Sequence, residues 1–126
     1  MKIYGIGTDI ISVDRIKKSM KNKIFLRRIF SNEEITKCYR LSNPNNCYAK
    51  RFAAKEAFAK ALGTGISNGI NFNEIIVINK SNGKPFIKLK GNTMQIIKKR
   101  LKKKFKINLS LSDEKKYAVA FVTISL

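Results

Sequence analysis

Apolar and polar positions alternate with period two at the start of the chain, where residues 2–11 read KIYGIGTDII. Such alternation predicts a strand with Tyr4, Ile6, Thr8 and Ile10 on one face. Ile3, Gly5, Gly7, Asp9 and Ile11 fall on the other face, which two glycines leave bare just before a carboxylate. Glycine inside a strand often marks a close approach by a ligand or another backbone. Ser12 is placed to cap a short helix over 13–20. Ser31-Asn32-Glu33-Glu34 fits the S-x-x-E capping box and predicts a helix over 32–40. Ser42-Asn43-Pro44-Asn45 breaks that helix, because proline disfavours helix at the residue before it. A long helix is expected over 46–62, with Gly63 as its left-handed cap.

Further on, runs at 75–79 and 85–90 flank Ser81-Asn82-Gly83-Lys84, and an Asn-Gly pair between such runs signals a hairpin. Residues 93–104 make a lysine-rich amphipathic helix with Met94, Ile97 and Leu101 in one stripe. Residues 107–112 and 117–124 read as a closing antiparallel pair. No linker, repeat or low-complexity tract divides the chain, so the expectation is a single α+β domain over 1–126, an antiparallel sheet packed against a long central helix.

The long helix reads KRFAAKEAFAKALGTG over 50–65, alanine-rich with an abrupt stop. Ala54, Ala57, Phe58, Ala61 and Leu62 form an apolar stripe suited to a sheet. Ala49, Phe52, Ala53, Glu56, Lys60 and Gly63 form a second stripe, and Arg51, Lys55 and Ala59 a third. The polar arc is narrow and Glu56 borders its buried side. Two readings of Glu56 stand on the residues alone. One is an ordinary i,i+4 ion pair with Lys60, worth only about 0.3–0.5 kcal/mol. The other pairs Glu56 with Asp9 on the glycine-bared strand face, where two carboxylates would need a cation such as Mg²⁺ between them. Gly63-Thr64-Gly65 lacks the Walker pattern and Gly5-Ile6-Gly7 lacks the third glycine of a dinucleotide fingerprint. Lys60 and Thr64 would nonetheless sit beside free loop amides, a cradle for phosphate.

Charge sharpens this picture. The net charge is +19 over 126 residues, with 27 basic and only eight acidic side chains. Lysine supplies 21 of the 27, and with abundant isoleucine and asparagine this is a composition that an AT-rich genome would produce, making part of the charge a codon effect. The field attracts anions, whether polynucleotide, phosphorylated small molecule or acidic protein. A basic nucleic-acid-binding module is the rival reading, but no zinc-knuckle spacing, RNP-type box or basic-zipper heptad accompanies the charge. No apolar run approaches the roughly 18 residues of a membrane span, and no signal-peptide core opens the chain. Cys38 and Cys47 lack metal-ligand spacing and the chain has no histidine. Two reduced thiols in an intracellular protein are therefore expected.

Ile6-Gly7-Thr8-Asp9-Ile10, then Arg51-Phe52-Ala53-Ala54-Lys55-Glu56-Ala57 and Lys60-Ala61-Leu62-Gly63-Thr64-Gly65, resemble the holo-acyl-carrier-protein synthases. These are the small, trimeric class of 4′-phosphopantetheinyl transferases. The likeness extends to Arg28-Ile29-Phe30-Ser31 with Glu34, to the Gly83-Lys84-Pro85 turn, and to Leu109-Ser110-Leu111-Ser112 before Tyr117-Ala118-Val119-Ala120. It implies the 4′-phosphopantetheinyl transferase fold and transfer of the phosphopantetheine arm of coenzyme A to a serine of an acyl carrier protein, serving fatty acid biosynthesis. By motif position Asp9 and Glu56 resemble the Mg²⁺ ligands, which turns the choice on Glu56 toward metal. Lys60 is implied to meet the same phosphates, and Arg51, Gly63 and Thr64 to help hold coenzyme A. Arg15 and Arg28 match the carrier-docking positions, with Lys17, Lys18, Lys21 and Lys23 adding steering. A homotrimer with active sites at subunit interfaces is likewise implied, with no nucleic-acid or membrane partner. The expected compartment is bacterial cytoplasm, or a plastid-type stroma if a transit peptide has been removed.

One departure matters. Many members of the family carry histidine where this chain has Asp113, so no imidazole is available there as base or phosphate contact. The serine proton is left to a carboxylate, a lysine or a metal-ordered water. Asp113 reads as a turn residue on turn chemistry alone.

Overall fold

The computed structural model describes residues 1–63 and 69–126. In chain order the elements are β1 (Ile3–Ser12), α1 (Val13–Ser19), α2 (Lys23–Ile29), α3 (Asn32–Tyr39), α4 (Pro44–Leu62), a 3₁₀ turn (Phe72–Glu74), β2 (Ile75–Asn79), β3 (Pro85–Leu89), α5 (Gly91–Leu101), β4 (Lys106–Asp113) and β5 (Tyr117–Ser125). One antiparallel sheet has the order β1-β5-β4, and the hairpin β2-β3 forms a second. The α+β expectation holds: α4 lies across the inner face of β1 and β5.

Small residues decide how closely it lies. Gly7 pairs with Val122, Asp9 with Ala120 and Ile11 with Ala118, so the inner face combines glycines with fully buried alanines. The facing side of α4 is equally small, at Ala53, Ala57 and Ala61. A Cβ on Gly5 would land on the Ala61 carbonyl oxygen, and one on Gly7 on that of Ala57. The bare strand face is therefore occupied by a helix backbone, the second of the two roles open to such glycines.

Several expectations need correction. The long helix starts at Pro44, two residues before the predicted start, because proline suits the first helical turn, where its missing N–H goes unused. Residues Lys23–Ile29 form a helix that the apolar pattern did not signal; Asn22 caps it by accepting from the amides of Ile24 and Phe25 at 2.9 and 3.2 Å. The lysine-rich helix stops at Leu101, where Lys102 turns left-handed (φ 58°), and by Lys106 the chain has entered β4.

The third stripe of α4 is buried, not polar surface. Lys55 is fully enclosed, and its Nζ donates to Glu34 Oε1 (2.7 Å) and to the carbonyls of Phe72 (2.8 Å) and Ile75 (2.6 Å). Glu34 accepts in turn from the Ser31 and Val77 amides, both at 3.0 Å. One charged pair thus ties α3, α4 and β2 together.

The two cysteines are also not free thiols. Helices α3 and α4 fold back on each other at 40–43, which brings Cys38 and Cys47 to a Cα separation of 5.5 Å, and they are disulfide-bonded.

Candidate active site

The glycine track leads directly to the site. Past Gly5 and Gly7, Asp9 is the next residue of the inner face, and the α4 backbone is already against the strand there. Of the last two turns of α4, only Glu56 and Lys60 escape full burial. Lys60 reaches back to β1, its Nζ 2.9 Å from the Thr8 carbonyl and 3.3 Å from Asp9 Oδ1. The Asp9 side chain is 17% exposed and that of Lys60 55%, so the pair opens to solvent on the lysine side.

Glu56 is half-buried, and its carboxyl is pushed above the usual glutamate value. Burial is the largest cause, the Asp9 charge adds to it, and Lys60 opposes both. The structure thus brings Asp9, Glu56 and Lys60 together. It also favours the second reading of Glu56, since the lysine that would have been its surface partner bonds Asp9. Two carboxylates of like charge, one of them disfavoured as an anion, form an oxygen-only donor set suited to a hard divalent cation. Among the described residues no larger group of potential metal ligands exists.

Gly63 caps α4 in the left-handed conformation (φ 83°), its amide on the Lys60 carbonyl at 3.0 Å. Thr64 and Gly65 lie outside the described residues.

Arg51 sits elsewhere, in a cleft of about 610 Å³ that also takes in Lys37, Cys47, Lys50, Asn79, Lys80 and Asp113. Its Nη2 donates to Asn79 Oδ1 at 3.0 Å and its Nη1 to Cys47 Sγ at 3.2 Å, while Nε is buried with no partner. Burial lowers the pKa of the guanidinium, and the Glu34 charge works against that shift. Asp113 does more than turn the chain: it accepts from Asn46 Nδ2 at 2.8 Å and meets Lys50 Nζ at 3.5 Å, closing the cleft beside α4. Asn79 and Lys50 escaped sequence reasoning because their neighbours in the cleft come from separate elements; the hairpin signal placed Asn79 at a strand end but not on Arg51.

Arg15 and Arg28 are exposed on α1 and α2. Between them in sequence stands Ile24, 69% exposed, an apolar point amid the basic residues Lys17, Lys18, Lys21 and Lys23.

The chain is similar over nearly its whole length to proteins of one family. The 4′-phosphopantetheinyl transferase superfamily model matches residues 5–122. The chain is 50% identical over 125 residues to the holo-[acyl-carrier-protein] synthase of Pelagibacter ubique, covering 98% of each. The crystal structure of holo-[acyl-carrier-protein] synthase from Neisseria meningitidis superposes with a TM-score of 0.87 at 40% identity, over 98% of this chain and 99% of that one. A Bacillus anthracis holo-(acyl-carrier-protein) synthase solved in complex with CoA (3′,5′-ADP) gives 0.80 at 35% identity, over 98% and 97%. The chain belongs to the holo-[acyl-carrier-protein] synthases of the 4′-phosphopantetheinyl transferase superfamily.

Proposed function

We propose that this protein transfers the 4′-phosphopantetheine arm of coenzyme A to a serine hydroxyl of an acyl carrier protein, releasing 3′,5′-ADP, with Mg²⁺ as cofactor. The observation that carries the reading is the convergence of Asp9, Glu56 and Lys60 where α4 crosses β1. The raised pKa of Glu56 beside Asp9 fits a metal site, because a bound cation would offset the repulsion the two carboxylates now exert. Mg²⁺ held there supplies charge neutralisation at the phosphoryl group under attack. Lys60 holds the Asp9 carboxylate in place and brings its ammonium to the edge of the pair, where it can bind phosphate oxygens. In the transfer the serine hydroxyl gives up its proton, ultimately to solvent, and its oxygen bonds to phosphorus as the bond to 3′,5′-ADP breaks, so negative charge grows on an oxygen that the ammonium can stabilise.

The cleft around Arg51 is the second part of the reading. Lys37, Lys50, Lys80 and Arg51 line it, so its walls carry several positive charges. It suits the nucleotide phosphates of coenzyme A. In this reading the exposed Arg15 and Arg28 supply basic contacts, and the exposed Ile24 an apolar one, to an acidic carrier protein feeding fatty acid synthesis.

The outer face of β1 and β5 supports the homotrimer. Ile6 and Ile10 are 61% and 64% exposed, and Tyr117, Val119 and Phe121 stand beside them on β5. Monomers rarely leave so continuous an apolar surface bare. Ile10 and Asp9 face opposite sides of β1, but β1 is the edge strand of its sheet, so in this reading a second copy on the outer face reaches round that edge to the rim of the carboxylate pair. No helix among the described residues is long and apolar enough to cross a membrane; the cytoplasmic location in this reading rests on the bacterial relatives.

The direct test is mass spectrometry of an apo acyl carrier protein incubated with coenzyme A, Mg²⁺ and this protein. A serine carrying phosphopantetheine is expected, lost on chelation of Mg²⁺; an unmodified carrier in the complete reaction overturns the reading.

A further inference from the structure

Cys38 and Cys47 have no part in the transfer, yet their bond frames the cleft. The bridge joins the last turn of α3 to the first turn of α4 and closes the connection 39–46, from which Leu41, Ser42, Asn43 and Asn46 line the cleft. Cys47 lines it as well, within 3.2 Å of Arg51 Nη1. Freed from the bridge, Cys47 would stand in the first turn of a helix beside a guanidinium, both of which favour thiolate over thiol against the opposing effect of its burial. A thiolate so placed is the attacking group of thiol–disulfide exchange, and Cys38 is positioned to resolve the mixed disulfide.

We propose that Cys38 and Cys47 are a reversible dithiol–disulfide pair that sets the affinity of this cleft for the nucleotide phosphates of coenzyme A. The proposal rests on the nucleotide reading of the cleft. Oxidation uses a low-molecular-weight disulfide. The Cys47 thiolate attacks one of its sulfurs and expels the other as a thiolate. The Cys38 sulfur then attacks Cys47 Sγ, breaking the mixed bond and releasing the second small thiolate. The two expelled thiolates take up the protons lost by Cys38 and, through solvent, by Cys47, so two electrons pass from the protein pair to the small disulfide. In the bridged form Cys47 carries no charge, and the Arg51 charge is available to a phosphate. In the dithiol form a thiolate neutralises Arg51 and sets a like charge against the incoming anion, while 39–46 loses its tether.

The test poises the whole protein in glutathione disulfide or in dithiothreitol, alkylates free thiols and reads peptide masses. Parallel samples bind 3′,5′-ADP in a calorimeter without any carrier protein. Expected are an unalkylated, cross-linked 38–47 pair after oxidation and about fivefold tighter 3′,5′-ADP binding than in the reduced protein, the order of effect of one like charge about 4 Å away when water screens it fully. In Cys38→Ser the mixed disulfide on Cys47 cannot be resolved, so oxidation should leave a glutathione adduct there and should not tighten 3′,5′-ADP binding; Cys38→Ala serves if the serine variant does not fold. Two alkylated thiols after oxidation overturn the proposal, as does a Cys38 variant whose 3′,5′-ADP binding tightens on oxidation as the parent's does. Equal 3′,5′-ADP binding in the two wild-type states overturns the redox control while leaving the nucleotide cleft intact. No binding in either state removes the nucleotide reading, and this proposal falls with it.

Discussion

Lys60 of α4 bonds Asp9 of β1, Nζ to Oδ1 at 3.3 Å, although Glu56 stands one turn away on the same helix. The lysine therefore belongs to the strand–helix junction and not to the helix surface. Lys60→Met removes the ammonium and leaves both carboxylates where the glycine track puts them. Expected are a loss of transfer, kcat/KM falling by about 100-fold, and a melting temperature close to that of the parent, since the side chain is 55% exposed. Paired activity and thermal-melt measurements check this; near-parental activity would remove Lys60 from the phosphate site.

The raised pKa of Glu56 has a consequence for stability in the metal-free protein. Its folded carboxyl holds a proton that the unfolded chain, near 4.5, has already released. Its contribution to stability is fully present below that unfolded value and is lost as pH rises through the folded pKa. Bound Mg²⁺ needs the ionised form, so stabilisation by Mg²⁺ should grow over the same window. Thermal melts across this range, with and without Mg²⁺, should show both trends in the parent. Glu56→Gln should flatten the metal-free curve and abolish the Mg²⁺ response.

What was legible in the chain was mainly local. The two faces of β1, the Asn82-Gly83 turn, the Ser31 capping box and the Gly63 cap each follow from a few neighbouring residues, and each stands as expected. Asp9, Glu56 and Lys60 were legible as a set because a strand period and a helix period each point them at one junction. Arg51 and Lys55 were misplaced for the opposite reason. Their partners, Glu34, Phe72, Ile75 and Asn79, are 17 to 28 positions away, and helical spacing says nothing about them. The Cys38–Cys47 pairing needed the turn at 40–43, which Pro44 marked as a break but did not orient.

Gly7 tests how far the site depends on that junction. A methyl group there would overlap the Ala57 carbonyl and come within 2.8 Å of the Ala61 amide nitrogen, both backbone atoms of a buried helix. Neither can move alone, so Gly7→Ala must lift α4 off β1 and separate Glu56 and Lys60 from Asp9. Denaturant unfolding should show a loss of about 3 kcal/mol or more, with activity falling further than stability alone explains. A variant of parental stability would mean that the helix is free to slide.

The Lys55 network should behave as a buried charge pair. Desolvation lowers its pKa from 10.5 to about 8, against the attraction of Glu34. A lowered lysine pKa means the folded state prefers the neutral amine. The contribution is present above 10.5 and lost as pH falls through about 8, so parental stability from this group rises between those values. Lys55→Met should lack that rise. It should also cost about 3–5 kcal/mol at neutral pH, because the Glu34 carboxylate stays buried without its cation. Urea titrations at neutral and alkaline pH measure both effects, and an unaltered alkaline limb would show that Lys55 does not titrate there.

Phe121 tests the assembly separately from the fold. It stands opposite Thr8 on one side and Ser110 on the other, with its ring on the outer face of the sheet and 45% exposed. Phe121→Asp leaves the inner face of β5, at Ala120 and Val122, untouched, so the single chain should fold as before. If a neighbouring copy covers this face, three buried carboxylates would enter one assembly, each without a partner, and association should fail. Sedimentation should then find monomer in place of trimer, with an unchanged far-ultraviolet circular dichroism spectrum. Transfer activity should be lost as well, because Asp9 would no longer have a second copy at its rim. A monomeric parent, or a monomeric variant with full activity, would separate the active site from the subunit interface.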